Sequence, residues 1–338
     1  MPTLQDVARI AGVSRSTVSR VINDHPSVDP RTRRRVQRAI KQCGYRPHAI
    51  ARSLATKRTR IIGMIIPEAV SRLFTDPYFA LMLRGATDAC NRSGYQLILS
   101  LFTASVDSKT MHDRIVHNGY VDGVLTANTC LDDGLVPRLL DTGIPFVTIG
   151  RHPDARVSYV DVDNIGGARM ATEFLIHLGH KRIGTITGPL NMTPAQDRLT
   201  GFLKAMGDNG LPVPDALIVE GDFTEAGGRA AMARLLEERP TAVFVASDSL
   251  AIGAVKAIQG AGLRVPEDIS VIGFDDLPSA ASLEPALTTV HQPIEGLAQL
   301  AVEVLIDRLK RRVQNGIAVQ RVVLPTELMV RRSCTRPS

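Results

Sequence analysis

The stretch Arg15-Ser16-Thr17-Val18-Ser19-Arg20 follows the turn Ala11-Gly12-Val13, within the first two dozen of 338 residues. Ser14 can cap a helix that begins at Arg15, because its side-chain oxygen can accept from an unpaired backbone N–H. Val18, Val21 and Ile22 then fall on the inward face of this helix, and its polar residues point outwards. A short helix with these two faces, placed after a glycine turn, is typical of the second helix of a helix-turn-helix domain.

Two flanking helices complete the predicted domain. Thr3 can cap the first helix, with Asp6 reaching back to it, and Gly12 ends that helix. The third helix begins after a cap at Asp29, with proline in its first position, and ends at Gly44. Apolar residues recur at helical spacing in both, namely Leu4, Val7, Ala8 and Ala11 in the first and Val36, Ala39, Ile40 and Cys43 in the third. This pattern predicts a helix-turn-helix domain over residues 1–47.

The positive charge of the chain is concentrated near its amino terminus. Residues 1–60 contain 14 Lys and Arg but three Asp and Glu, a net charge of +11, whereas the other 278 residues carry 26 basic and 31 acidic groups. A basic segment of this density favours contacts with phosphate groups, and such contacts weaken as salt rises. Because the same segment carries apolar residues at core spacing, we interpret it as a folded DNA-binding domain rather than a solvated tail.

The outward residues of the second helix are the predicted base readers. In helix-turn-helix domains the N-terminal part of this helix enters the major groove, where arginine can bond guanine in a bidentate manner and serine can pair with several bases. Arg15 and Ser16 occupy those positions, and Arg20 follows. A single surface arginine is usually a solvated charge, but three outward polar residues on a helix in this place favour a role in reading DNA.

The residues around this helix resemble a known family. The runs Thr3-Leu4-Gln5-Asp6-Val7-Ala8, Ala11-Gly12-Val13-Ser14 and Thr17-Val18-Ser19-Arg20-Val21-Ile22-Asn23 are similar to the signature of the lactose/galactose repressor (LacI/GalR) family of bacterial transcription regulators. Tyr45-Arg46-Pro47 and Ala51-Arg52-Ser53-Leu54-Ala55 match the hinge helix of that family. The similarity continues through Leu178-Gly179-His180, Gly273-Phe274-Asp275-Asp276 and Leu287-Thr288-Thr289-Val290 to about residue 332, and so covers nearly the whole chain.

Residues 48–59 are interpreted as the hinge helix and linker. About ten residues are too few for a stable isolated helix in water, so we expect this segment to fold only when it is docked. The resemblance implies that paired hinge helices enter the minor groove and that Leu54 wedges between base steps, as apolar side chains do in minor-groove binders. The alternative is that Leu54 only fills a linker. The predicted DNA contacts are Thr3, Ser14, Arg15, Ser16, Thr17, Ser19, Arg20, Asn23, Arg52, Leu54 and Lys57.

The remainder of the chain repeats one pattern twice. Strand-like runs begin at Ile61, Tyr95, Asp122 and Pro145, with spacings of 34, 27 and 23 residues. A second series begins at Ile183, Leu217, Ala242 and Ile269, with spacings of 34, 25 and 27 residues. Strands separated by helix-length segments predict βαβ units, so the expected fold class is α/β, with two doubly wound parallel sheets behind the helix-turn-helix domain. These two lobes resemble type I periplasmic binding proteins, a fold that the repressor family shares.

The resemblance also implies how the chain is divided between the lobes. By that resemblance the chain passes from one lobe to the other near residues 159–162, 290–292 and 322–324. The expected first lobe comprises residues 60–160 and 291–321, the second comprises residues 161–290 and 322–333, and residues 334–338 form a tail.

A cleft between two such lobes, at the carboxyl ends of the strands, is where small ligands bind. The predicted contacts follow strand ends or open the next helix, and they are Tyr78, Phe79, Asp163, Arg198, Phe223, Ser247 and Asp275. The resemblance places Arg198 and Asp275 as the pair that binds sugar hydroxyls, and an arginine and an aspartate beside aromatic rings suit a polyhydroxylated ligand. Two of the seven residues have alternatives, because Asp163 can simply cap its helix and Phe223 can belong to the core.

The expected effector is a carbohydrate. Purine-responsive members of the family carry polar and cationic residues after Gly-Pro-Leu, whereas this chain has Met192, Thr193 and Pro194 close behind its own Gly-Pro-Leu. This difference disfavours a purine and shifts the expectation to a sugar.

Several other classes of protein do not fit the sequence. The phosphate-binding and nucleophile motifs of α/β enzymes (G-x-G-x-x-G, G-x-x-x-x-G-K-[ST], G-x-S-x-G) and the zinc motif H-E-x-x-H are missing, so we expect no enzyme. The four cysteines are scattered, so neither a zinc site nor disulfides are expected, and no cofactor is implied. The amino terminus lacks the apolar run of a signal peptide, and no stretch is long and apolar enough to span a bilayer. A cytoplasmic protein is therefore expected rather than an exported one.

These features predict a sugar-responsive, homodimeric repressor that binds a pseudopalindromic double-stranded DNA operator. Ligand binding is expected to close the cleft, rotate the paired first lobes and melt the hinge segments. Little sequence follows the apolar run Val322-Val323-Leu324, which favours a dimer over a tetramer built through an added tail helix. The alternatives are a corepressed regulator that responds to a nucleoside or another small metabolite, and a sugar-binding transport protein.

Overall fold

The computed structural model describes residues 2–22, 25–45, 58–102, 119–127, 130–132, 134–311 and 318–337. The chain divides into two compact units, residues 1–60 and residues 61–338, and each is described by itself. The predicted hinge contacts Arg52, Leu54 and Lys57, and the predicted contact Asn23, lie outside the described residues.

The first unit contains three short helices, α1 (Leu4–Ala11), α2 (Arg15–Ile22) and α3 (Pro30–Cys43). The predicted caps are confirmed, because Thr3 and Asp6 form a reciprocal capping box at α1, and Asp29 accepts from two backbone N–H groups at the start of α3. Gly12 and Gly44 end α1 and α3 in left-handed conformations, with φ angles of 58° and 64°. The small core is formed by Val7, Ala8, Ala11, Val18, Val21, Val36, Ala39 and Tyr45.

The second unit contains two six-stranded sheets. The first has the order β11-β5-β4-β3-β1-β2, and the second has the order β12-β10-β9-β8-β6-β7. All neighbouring strands in both sheets are parallel except β12, which is antiparallel to β10. The strands are β1 (Ile61–Ala69), β2 (Gln96–Phe102), β3 (Gly123–Ala127), β4 (Phe146–Ile149), β5 (Tyr159–Val162), β6 (Ile183–Thr187), β7 (Ile218–Glu220), β8 (Ala242–Val245), β9 (Ser270–Asp275), β10 (Thr288–His291), β11 (Arg321–Leu324) and β12 (Glu327–Met329).

Helices connect most successive strands, as expected for doubly wound sheets. They are α4 (Val70–Thr75), α5 (Pro77–Arg92), α6 (Leu135–Thr142), α7 (Asn164–Leu178), α8 (Thr193–Asp208), α9 (Glu225–Leu235), α10 (Asp248–Gly260), α11 (Pro278–Ser282) and α12 (Ile294–Arg311). The predicted fold class, a helix-turn-helix domain followed by two parallel-sheet lobes, is therefore confirmed.

Two of the expected lobe boundaries are wrong by two or three residues. β5 remains in the first sheet through Val162, and β11 pairs with it in parallel, with Val322 opposite Val160 and Leu324 opposite Val162. Residues 161–162 and 322–324 therefore belong to the first lobe, because a strand leaves its sheet only after its last ladder hydrogen bond. The sequence also gave no sign of β12, whose three residues complete the edge of the second sheet.

Close helix packing fixes the starts of the helices that face the cleft. In the first lobe α5 lies against α12 at Gly85, where an added Cβ atom would stand 2.3 Å from the backbone oxygen of Glu295. In the second lobe α9 lies against α10 at Gly228, where a Cβ would stand 2.0 Å from the backbone oxygen of Leu250. Only glycine permits these approaches. The N-termini of α5 and α10 are thereby held beside the carboxyl ends of the strands.

Candidate functional site

A cleft lies between the two lobes of the second unit and encloses about 750 Å³ of space, including its mouth. Most of its lining residues follow strand ends of one sheet or the other. They are Arg72, Asp76, Tyr78, Phe79, Ile149, Gly150, Arg151, Asp161, Val162, Asn164, Met192, Thr193, Pro194, Arg198, Phe223, Ser247, Asp275, Gln292 and Leu297. Six of the seven predicted ligand contacts are among them, and the exception is Asp163.

Arg198 and Asp275 meet at the inner wall of the cleft. Arg198 lies on α8 and is 5 % exposed, and Asp275 ends β9 and is 6 % exposed. The guanidinium Nη1 stands 3.4 Å from Asp275 Oδ1, and the same nitrogen donates to the backbone oxygen of Ala246. Nε donates to Asn164 Oδ1 over 2.8 Å, and the guanidinium lies 3.7 Å from the centroid of the Phe274 ring. These contacts fix the direction of the buried cation.

The Asp275 carboxyl group is held in an unusual backbone conformation. Its φ angle is 117° and that of Asp276 is 59°, a region that favours glycine. Gln292 donates from Nε2 to Asp275 Oδ1. Burial raises the pKa of Asp275 to about 7, although the nearby Arg198 guanidinium acts to lower that pKa. Asp275 thus changes its charge near neutral pH.

Tyr78 and Phe79 enter the cleft from the first turn of α5, where Asp76 accepts from the backbone N–H of Tyr78 over 3.0 Å. The two rings pack edge to face, with centroids 5.6 Å apart. Phe79 is buried and Tyr78 is half-buried. Burial raises the pKa of Tyr78, and the Asp275 carboxylate raises that pKa further. Tyr78 therefore offers a neutral hydroxyl to a ligand.

Phe223 and Ser247 come from the loops after β7 and β8. Phe223 has a positive φ angle of 62°, and its ring packs against Gly188, where an added Cβ would stand 2.0 Å from the ring. It belongs to a core cluster and also lines the cleft, and its contact with a ligand stays a prediction. Ser247 caps α10 by accepting from the backbone N–H of Leu250 over 3.2 Å, and it is buried.

Asp163 lies outside the lining of the cleft. Its side chain is exposed and accepts from the backbone N–H of Gly166 over 2.8 Å, so it acts as the cap of α7. The buried neighbours Asp161 and Asn164 line the cleft instead, and Asn164 donates to Asp161 over 3.0 Å. Side chains alternate along β5, and Asp161 accordingly points inwards. Burial raises the pKa of Asp161, and backbone N–H groups from Val162 and Arg151 oppose this rise.

The sequence did not reveal the contacts that join the two lobes. Arg151, which follows β4, forms two hydrogen bonds with Asp197 on α8, at 2.7 and 2.9 Å. The Thr193 hydroxyl donates to the Arg151 backbone oxygen over 2.7 Å. Nearby, the backbone N–H of Leu131 donates to the backbone oxygen of Asn191 over 2.9 Å. The position of Arg151 just after a strand end was the signal that would have included it among the candidates.

The helix-turn-helix unit presents a polar face on α2. Arg15, Ser16 and Arg20 are exposed, as predicted for residues that read bases. The Ser14 hydroxyl accepts from the backbone N–H of Thr17 over 3.2 Å and contacts the hydroxyl groups of Ser16 and Thr17, both at 2.8 Å. Ser14 therefore caps α2 and orients its first turn. Thr17 and Ser19 are half-buried, and Thr3 is exposed at the start of α1.

The described parts of the chain lack two features. No helix among these residues is long and apolar enough to cross a membrane. Within the same residues, His, Cys, Asp and Glu form no group of three or more that could hold a metal ion.

Both units match models of known protein families. Residues 3–48 match the family model described as "Bacterial regulatory proteins, lacI family", and residues 172–334 match the model described as "Periplasmic binding protein-like domain". The HTH-type transcriptional regulator CelR of Thermobifida fusca is 41 % identical, over 98 % of each chain. The ribose operon repressor of Escherichia coli K12 is 38 % identical, over 98 % of this chain and all of the relative.

Solved structures of related proteins are similar to this chain over the same length. A complex of the transcriptional regulator CelR with cellobiose is 39 % identical, with a TM-score of 0.76 over 98 % of this chain and all of the other. A lac repressor dimer bound to operator and an anti-inducer is 30 % identical, with a TM-score of 0.83 over 99 % of each chain. Since the similarity extends over the DNA-binding unit and both lobes, the protein belongs to the lacI family of bacterial regulatory proteins.

Proposed function

We propose that the protein is a sequence-specific transcriptional repressor whose affinity for its operator is controlled by a carbohydrate bound between the two lobes. The observation that carries this proposal is the buried Arg198–Asp275 pair, which opens on a cleft in a chain that also has a helix-turn-helix unit. A bound sugar can shift the protein between two states only by its difference in affinity for them. Contacts from both lobes to one ligand provide such a difference.

The chemistry of the cleft favours a neutral, hydroxyl-rich ligand. Three arginines (Arg72, Arg151 and Arg198) and three aspartates (Asp76, Asp161 and Asp275) line the cleft, so neither sign of charge dominates. Carboxylates accept hydrogen bonds from sugar hydroxyl groups and arginines donate to them, while Tyr78 and Phe223 bring aromatic rings to the wall of the cleft. Two relatives support this choice, since one was solved with cellobiose and another is named for the ribose operon.

Further parts of the proposal rest on the family. We infer a homodimer, because the related lac repressor was solved as a dimer on its operator, and two copies of α2 fit a pseudopalindromic site. We further propose that Leu54 enters the minor groove, as the family resemblance implies, and that Arg52 and Lys57 contact the DNA beside it. A regulator that acts on DNA works in the cytoplasm and needs no catalytic chemistry, so we infer that the protein is not an enzyme.

The test begins with an operator selected from a random DNA pool by the full-length protein. Operator affinity and thermal stability are then measured with cellobiose, ribose and adenosine. We expect one of the two sugars to raise the melting temperature and to weaken operator binding at least fivefold. Tighter operator binding with adenosine would instead identify a corepressed, nucleoside-responsive regulator, and stabilisation by a sugar without any selected operator would favour a transport protein.

Arg15→Ala tests the DNA-reading surface. We expect it to weaken binding to the selected operator by about 1 to 3 kcal/mol and to relax base preference at one position, because a bidentate contact to a base edge is lost. Binding is measured against single-base operator variants at fixed salt. Arg229→Ala, which removes an exposed arginine on α9 of the second unit, is the control. Equal loss of affinity on every operator variant would mean that Arg15 contacts phosphate rather than a base.

Sugar affinity is expected to depend on pH through Asp275. The ionised carboxylate accepts hydrogen bonds from sugar hydroxyl groups, and the pKa of this group is about 7. Affinity should therefore rise between pH 6 and pH 8, by up to about tenfold per pH unit below the pKa. Calorimetric titration with the identified sugar across this range provides the measurement. Asp275→Asn should flatten the profile, and an unchanged profile in that variant would assign the titration to another group.

A further inference from the structure

Asp248 is a fully buried carboxylate next to the cleft but outside its lining. It is the first residue of α10, directly after the capping residue Ser247. Its Oδ2 accepts from the backbone N–H of Leu277 over 2.7 Å, and its Oδ1 accepts from the Thr289 hydroxyl over 2.6 Å. Its side chain thus ties the start of α10 to the loop after β9 and to β10.

The loop that Asp248 holds is under backbone strain. Asp275 and Asp276 are consecutive non-glycine residues with positive φ angles, 117° and 59°. Such conformations are costly for non-glycine residues and persist only where the surroundings enforce them. The hydrogen bond that the Leu277 N–H donates to Asp248 fixes the residue immediately after Asp275 and Asp276. Without this hydrogen bond, Asp275 and Asp276 have one fewer restraint against relaxing to negative φ angles.

A close approach makes this restraint possible. Gly273 on β9 faces the Asp248 carboxylate, and an added Cβ at Gly273 would stand 2.2 Å from Asp248 Oδ1. The absence of a side chain at Gly273 therefore leaves the space that the carboxylate occupies. The same strand ends two residues later at Asp275, so the carboxylate packs against β9 two residues before the one that faces the cleft.

Asp248 also acts on Asp275 through its main chain. Burial raises the pKa of Asp275, and a hydrogen bond from the backbone N–H of Asp248 opposes that rise. N–H groups in the first turn of a helix have no partner within the helix and carry partial positive charge, so they stabilise an anion. Burial raises the pKa of Asp248, and the nearby Asp275 carboxylate raises that pKa further, so the charged form of Asp248 is disfavoured in this place. Helix capping does not explain a carboxylate at this position, because Ser247 already caps α10.

We propose that Asp248 is a positioning residue that presents Asp275 to the carbohydrate. Its side chain holds residues 275–277 in the strained form, and its backbone N–H supports the carboxylate that the sugar hydroxyl groups meet. This inference rests on the proposed function, because it deepens the role of the same cleft.

The test compares Asp248→Ala, Asp248→Asn and a control, Leu235→Ala. Leu235 is a fully buried core residue on α9 in the same lobe, and it does not line the cleft. Affinity for the sugar found in the screen is measured at a temperature where all variants are folded. We expect Asp248→Ala to weaken sugar binding at least tenfold, with operator affinity in the absence of sugar unchanged. Leu235→Ala should lower the melting temperature without a comparable loss of sugar affinity.

Rescue by the conservative variant separates positioning from general destabilisation. In Asp248→Asn the amide oxygen can accept from the Leu277 N–H while its NH2 group donates to the Thr289 hydroxyl, so sugar affinity should return to within about threefold of wild type. Wild-type affinity in Asp248→Ala would overturn the proposal. A loss in Asp248→Asn as large as that in Asp248→Ala would overturn it as well, and so would an equal loss in Leu235→Ala.

A second measurement needs no ligand. A crystal structure of unliganded Asp248→Ala should show Asp275 or Asp276 leaving its positive φ angle, with a changed distance between Asp275 and Arg198. An unaltered loop would overturn the positioning role even if no sugar bound to the wild-type protein. Failure of the wild-type protein to bind any sugar, together with a relaxed loop in the variant, would count against the proposed function and not against the restraint.

Discussion

Asp275→Ala is expected to weaken sugar binding at least 100-fold while leaving operator binding without sugar intact. The substitution removes a buried acceptor and leaves the Arg198 guanidinium, which is 5 % exposed, without its carboxylate. Sites built to bond a ligand hydroxyl lose much of their affinity when buried polar groups are left unpaired. A loss of about 3 kcal/mol corresponds to about 100-fold in the dissociation constant. The sugar should then no longer release the selected operator at concentrations that release the wild-type protein.

Asp163→Ala is the matched control for this experiment. Asp163 was also predicted to contact the ligand, but its side chain is exposed and caps α7. Loss of the cap should cost about 1 kcal/mol of folding stability and should leave sugar affinity unchanged. Both variants are measured by calorimetric titration and by sugar-dependent release of operator. A weakened sugar response in Asp163→Ala would restore this residue to the site, and a normal response in Asp275→Ala would remove Asp275 from it.

Local signals in the sequence were sufficient to predict the helices of the first unit and most strands. The capping box of Thr3 and Asp6, the proline after Asp29 and the glycines that end α1 and α3 all act within a few residues. Strands buried on both faces appear as short apolar runs, such as residues 242–245. Six predicted ligand contacts line the cleft because, in parallel sheets, the residues after strand ends gather at one edge.

The signals that failed depend on contacts between distant residues. The apolar run Val322-Val323-Leu324 does not indicate which sheet edge it joins, and only its pairing with β5 shows this. Arg151 and Asp197 are 46 residues apart, and neither has a local pattern that marks it as an ion pair. The burial of Asp248 likewise depends on Leu277 and Thr289, which come from other elements. In each case the missing information is the relative placement of two elements, which local periodicity does not contain.

Arg198→Met is expected to be the most destabilising of these substitutions, because it leaves a buried carboxylate without its cation. Asp275, Asn164 and the backbone oxygen of Ala246 all lose a donor. Removing one partner of a buried ion pair typically costs about 3 to 5 kcal/mol. Sugar binding should be lost as well. Arg169→Met is the control, since Arg169 pairs with Glu173 and Asp208 on the surface, where the expected cost is below about 1 kcal/mol.

The loss of folding stability in Arg198→Met should increase as the pH rises. The folded-state pKa of Asp275 is already raised to about 7, and removing the guanidinium that lowers it raises this pKa further. An acid with a raised folded-state pKa favours folding below its unfolded pKa of about 3.9, and this contribution is lost as the pH rises through the folded-state pKa. Arg198→Met should therefore be closest to wild type near pH 5 and furthest from it at pH 8, as measured by urea unfolding.

Replacing the Asp275 carboxylate with a neutral amide should restore most of the folding stability that Arg198→Met loses. In the double variant Arg198→Met with Asp275→Asn, no buried anion remains without a partner, so stability at pH 8 should exceed that of Arg198→Met alone. The difference between the variants at pH 5 and pH 8 should also shrink, because the titrating group is gone. If the double variant is less stable than Arg198→Met at pH 8, the cost of removing Arg198 arises from its bonds to Asn164 and Ala246 rather than from the unpaired charge of Asp275.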